Sequence, residues 1–167
     1  MGAAVAAAVV EAVVAVATER PRVLTIARFF GALMLIATGA VHLQQYFAVN
    51  YRVIPLIGPL FLANFAIGLA LGLTLLAPVE QLARWVGALA ALGGIVFAAG
   101  TIIALEIAEK STLFGFREHG YRIAIILSIV FEGAAIVGLL AYLLALLGAR
   151  GLPRRPFYEP TPDARPA

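Results

Sequence analysis

Four runs of apolar residues, 23–47, 56–77, 82–105 and 121–147, occupy most of this 167-residue chain. Crossing a hydrocarbon layer ~30 Å thick takes about 20 residues of helix at ~1.5 Å per residue, and each run meets that length. None alternates polar and apolar residues with a period of two, as a barrel strand would. In lipid every backbone N–H and C=O must find its partner within the protein, so these runs read as helices. Composition agrees, with 63% hydrophobic and 13% charged residues, against about a quarter charged in a soluble domain. The expected fold class is all-α, an integral membrane four-helix bundle in contact with the lipid bilayer.

The flanking segments read differently. Residues 1–22 hold the Ala/Val-rich stretch AAVAAAVVEAVVAVA (3–17), with Glu11 at its centre. It is too short for a fifth span and lacks the positive start of a signal peptide, so a surface helix or a disordered segment is expected. Residues 149–167 are rich in proline and charge and are expected to be a disordered tail. Basic residues bracket the runs. Arg20, Arg22, Arg28 and Arg84 fall on one side with the three arginines at 150, 154 and 155, while Arg52, Lys110, Arg117 and Arg122 fall on the other. Basic residues favour the cytoplasmic side, which places both termini in the cytoplasm. The Ala/Gly/Val/Leu/Arg/Pro bias suggests a bacterial source, hence a multi-pass protein of a bacterial plasma membrane.

Several function classes are excluded early. The net charge is only +3, and the basic residues form no stripe, so no nucleic-acid partner is expected. There is no cysteine, which removes disulfides, CxxC redox pairs and thiolate metal sites. GxGxxG, P-loop, HExxH and GxSxG patterns are absent, so no catalytic residue and no metal ligand set is assigned.

What chemistry remains lies inside the runs. Each carries small or polar residues three and four apart, which puts them on one helix face. The rows are Gly31, Thr38, His42 and Gln45; Asn64, Gly68 and Gly72; Gly87, Ala91, Gly94, Ala98 and Thr101; and Ala124, Ser128, Glu132 and Ala135. Leu35 interrupts the first. Small residues let membrane helices approach, and polar ones bond between them, so all four rows are expected to face inward. Counted from the outer boundary, Thr38, Asn64 and Glu132 then lie roughly 12 to 17 Å deep, and His42, Thr101 and Ser128 roughly 6 to 11 Å deep. The candidate ligand- or proton-binding residues are these six. Glu132 is expected to meet Asn64 and Thr38, with His42 one turn above. The inner half of the bundle reads as nearly bare of polar side chains. A carboxyl inside a span marks either a ligand site or a hydrogen-bonded pin between helices.

The connections carry further signals. Tyr46, Phe47, Tyr51, Phe114, Phe116 and Tyr121 gather at one boundary, as an interfacial aromatic belt does. The segment LFGFREHGYR (113–122) reads either as an amphipathic cap over the mouth of the bundle or, preferred here, as an ordinary connection whose phenylalanines dip into the headgroups. His42 and His119 are the two histidines, and a helix bundle can hold haem between two.

GAVHLQQYFAVNYRVIPLIGPLFLANF (39–65) and LFGFRE (113–118) resemble small four-span membrane proteins of actinobacteria, and the general architecture is similar to DoxX-like four-helix membrane proteins. The resemblance covers the first hairpin and the approach to the fourth span. It implies the membrane bundle and no activity. The leading expectation is a non-enzymatic membrane protein that binds a small molecule or lipid at a polar cavity around Glu132, or serves as an accessory subunit of a larger membrane complex. Four spans are too few for an inverted-repeat transporter, so transport would call for a homo-oligomer. The alternatives are a membrane redox protein holding haem or quinone through His42 and His119, and a purely structural bundle.

Overall fold

A computed structural model describes the backbone of residues 2–21 and the full residues 22–77, 84–118, 120 and 122–148. It is all-α. Helix α1 runs Gly2–Ala48, α2 Ile57–Leu76, α3 Arg84–Lys110 and α4 Ile123–Gly148, with a 3-10 turn at Tyr51–Val53 between the first two. All four helices contain a stretch long and apolar enough to cross a membrane, the first of them Arg22–Ala48. Their outward faces are apolar as well: Ile26, Leu33, Leu92, Val137 and Leu144 are all exposed. A surface of this kind suits hydrocarbon rather than water.

The helices form a four-cornered bundle. α1 packs along α2 on one side and α4 on the other, α3 packs along α4, and the α2–α3 seam is the loosest of the four. Lipid tails are as apolar as leucine, so close packing rather than escape from water must hold such helices together. Glycines provide it. A Cβ on Gly68 would lie 2.7 Å from the backbone O of Leu35, so α1 and α2 touch backbone to backbone there. A Cβ on Gly94 would lie 2.8 Å from Leu35 Cδ1 and 2.7 Å from Leu139 Cδ1. Leu35 therefore does not break the inward row of α1. Its buried side chain enters the hole left by Gly94, its backbone lies against Gly68, and with Leu139 it plugs the centre of the bundle.

On the terminal side of that plug, among the described residues, lie the buried Arg28 and the fully buried Tyr142. The expectation of a half nearly bare of polar groups is thus corrected. Arg28 has a long apolar stem that can be buried along a helix seam, and its guanidinium stacks 5.0 Å from the Phe29 ring centroid.

The opposite end is closed by the two connections. Asn50 takes a left-handed conformation (φ 63°), which asparagine tolerates, and turns the chain from α1 into the 3-10 turn. In the second connection Leu113 and Phe116 exchange backbone hydrogen bonds of 2.8 and 2.9 Å around Phe114 and Gly115. Both central residues have positive φ (52° and 80°), as a two-residue hairpin turn of this hand requires. The Glu118 N–H then bonds Ala108 O at 3.0 Å, folding the segment back over the end of α3.

Candidate functional site

Between the plug and these connections the bundle encloses a cavity of about 350 Å³. Its floor is Glu132. This residue is 2% exposed. Thr38 Oγ1 of α1 and Ser128 Oγ of α4 each donate to Glu132 Oε1 at 3.1 Å, and the two hydroxyl oxygens are 3.2 Å apart. The Thr101 side chain of α3 is a third hydrogen-bonding contact of the carboxyl, and no basic side chain among the described residues pairs with it. The Thr101 hydroxyl also donates to Ala98 O at 2.9 Å.

One turn above Thr38, His42 Nδ1 is 2.9 Å from Thr38 O. A carbonyl can only accept, so Nδ1 carries the hydrogen and, in the neutral ring, Nε2 is left as an acceptor. No described residue donates to it. The ring leans on Phe61 at 5.3 Å between centroids. Gln45, a further turn up, also lines the cavity, donates from Nε2 to Gln44 and keeps its Oε1 buried without a partner among the described residues.

Asn64 lies on the cavity wall but makes no hydrogen bond to Glu132 among the described residues. The expected Glu132–Asn64 contact is therefore corrected: Ser128, one turn before Glu132 on its own helix, supplies the second donor with Thr38. His119 lies outside the described residues, as do residues 149–167. Among the described residues no cluster of three or more His, Asp and Glu suits a metal ion.

The mouth is closed by three residues that the sequence reading placed in a belt or an ordinary loop. Tyr51 is only 5% exposed, its ring turned into the bundle. Its ring packs 4.7 Å from Phe61 and 5.5 Å from Phe116. Its hydroxyl donates to Glu118 and accepts from Arg122 Nη2. Arg122 in turn grips Glu118 at 3.1 and 3.2 Å, and its guanidinium sits 5.6 Å from the Tyr51 ring centroid. Burial, and then the neighbouring Glu118 carboxyl, push the Tyr51 hydroxyl up to about 12. The 113–122 segment thus caps the cavity, since Leu113, Phe116, Glu118 and Arg122 all line it. The i, i+4 spacing of Glu118 and Arg122 was a readable signal, but Tyr51 joins them from 67 residues away and had none.

The walls are apolar, built largely from Phe61, Phe97, Leu105 and Ile125. One side is open. Leu60, Val96 and Gly100 line the cavity and are also exposed at the outer face of the loose α2–α3 seam. Nothing lies within 4 Å of where a Gly100 Cβ would be. The arrangement can hold a molecule with an apolar body and a polar end, entering from the side. Comparison of the chain with protein-family models, curated proteins and solved structures found no match.

Proposed function

We propose that this protein is a non-enzymatic binder of a small amphiphile, held in the Glu132 cavity and admitted through the α2–α3 seam. The observation that carries the reading is the cavity itself: about 350 Å³ of apolar-walled space ending on one carboxyl that has hydroxyl partners but no basic partner among the described residues. Ligand sites are typically clefts of about 300–1,000 Å³ with few, well-placed polar groups. The structural-pin reading accounts for Thr38 and Ser128 on Oε1 but not for the space above them. The setting proposed is the plasma membrane of a bacterium, with both termini cytoplasmic and the Tyr51 cap outside, as the distribution of basic residues suggests. Labelling of Phe114→Cys by a membrane-impermeant thiol reagent on intact cells tests that orientation, and protection in intact cells with labelling after lysis would reverse it.

Native mass spectrometry of the protein released gently from its own membrane tests the binding. The expected result is a reproducible mass excess of one small amphiphile, lost when Ala104→Trp fills the cavity. A bare chain, both as released and after incubation with the extracted lipids, would refute the proposal. A haem or quinone mass would move the assignment to the redox alternative.

A further inference from the structure

We infer that the polar end of the bound amphiphile is an amine, carried into the cavity as an ammonium group on an apolar body. The inference rests on the binding reading above and names the class of ligand. Its basis is the hydrogen-bonding arithmetic of the cavity. Glu132 Oε1 already takes two donors, so Oε2, with Thr101 as the carboxyl's one further hydroxyl contact, is the oxygen with room for a ligand. His42 Nε2 is an acceptor because Nδ1 is committed to Thr38 O, and Gln45 Oε1 is a further acceptor without a partner among the described residues. The hydroxyls of Thr38, Ser128 and Thr101 spend their hydrogens on Glu132 and on backbone carbonyls. Around Glu132 and His42 the cavity therefore offers acceptors, with the Asn64 amide on the wall and Arg122 at the mouth as donors, and a donor-rich ligand head complements it.

Charge selects among donors. The basic side chain at the mouth, Arg122, is held by Glu118 and Tyr51, so it does not neutralise Glu132. An ammonium group would. It also fits either resting state of the carboxyl. If Oε2 carries a proton, a neutral amine takes that proton on nitrogen and leaves an ammonium–carboxylate pair. If Oε2 is ionised, an ammonium ion arriving with its proton gives the same pair. An alcohol could donate one hydrogen bond but could not balance the charge, and a carboxylate would meet like charge. The lining also includes the aromatic residues Phe61, Phe97, Phe116 and Tyr51, a residue type whose rings favour a nearby cation.

The test uses the full chain in lipid nanodiscs, with three probes of matched apolar tail: n-octylamine, n-octanol and n-octanoate. Binding is measured against empty nanodiscs of the same lipid to remove partitioning. Octylamine is expected to bind about tenfold or more tighter than octanol, the difference between a charged and a neutral hydrogen bond in a dry site, and octanoate is expected not to bind. In Glu132→Gln, which keeps the shape of the side chain, the amine preference is expected to fall to within about threefold of the alcohol. Octanol bound as tightly as octylamine, an amine preference unchanged in Glu132→Gln, or octanoate bound tightest would overturn the inference while leaving an amphiphile site in place. No probe bound above the lipid background would sink the binding reading with it. The comparison among probes in the unmodified chain stands even if the variant fails to fold.

Discussion

Removing a single oxygen, in Tyr51→Phe, separates the hydrogen-bonded latch from the packing around it. The ring contacts with Phe61 and Phe116 survive, because the ring itself stays. What is lost is one bond donated to a carboxylate and one accepted from a guanidinium. Hydrogen bonds to charged groups contribute about 1.5–3 kcal/mol each. The sum is not the expected loss, however. Glu118 and Arg122 keep their two contacts at 3.1 and 3.2 Å, so neither is left bare. The net cost should therefore be that of one such bond, about 1.5–3 kcal/mol. Glu118→Gln should cost less, about 1 kcal/mol, because Arg122 is partly exposed and can turn to solvent. If the three residues act as one latch, the double variant costs less than the two single costs added together, with a coupling of about 1 kcal/mol, whereas independent sites add to within about 0.5 kcal/mol. Reversible unfolding in lipid nanodiscs by steric trapping supplies the energies. The absence of cysteine supplies a second readout, since Thr101→Cys becomes the one thiol in the chain, sited inside the cavity. Its labelling by a water-soluble reagent should quicken about tenfold in Tyr51→Phe if the latch loses about 1.4 kcal/mol. Additive energies together with an unchanged labelling rate would show that the cap does not act as a unit.

Two further outcomes follow from the same geometry. Gly68→Ala drives a Cβ to within 2.7 Å of the Leu35 backbone oxygen and should destabilise the bundle by about 1–3 kcal/mol, whereas Gly100→Ala meets nothing and should be neutral or stabilising by up to about 1 kcal/mol through helix propensity; equal effects in the same unfolding assay would contradict the packing described. The Tyr51 hydroxyl should ionise near 12 rather than near the ordinary value of about 10. Between those values the unfolded chain gives up this proton first, so stability should be constant with respect to Tyr51 below about pH 10 and fall as pH rises toward 12. The difference in tyrosinate absorbance between the unmodified chain and Tyr51→Phe isolates the titration, and a midpoint near 10 would mean that the hydroxyl is not buried.

Much of the bundle was legible in the chain because its signals are local. Span length, the absence of a two-residue period and the rows of glycine and alanine all follow from spacing along one helix, and the rows do face inward. Thr38 and Glu132 could be placed together because helical rise alone puts them at similar depth, whereas Ser128 was assigned to the layer above. Local spacing could not say which of several residues at that depth would bond. The rotation of α2 decides that Asn64 lines the cavity beside Glu132 without donating to it. Leu35 was misread for a related reason. A large residue in a row of small ones looks like an interruption until Gly94 of another helix is seen to make the hole its side chain fills. The latch was beyond the sequence altogether, because Tyr51 and Arg122 come from different connections and meet only once all four helices are in place. By itself, then, the sequence determined four apolar helices and the face each turns inward, since those depend on period and composition. Only the tertiary structure decided that the bundle packs solid below Glu132 and leaves a capped cavity above it. Whether neighbouring helices touch depends on side chains that lie far apart along the chain, and no local pattern records their meeting.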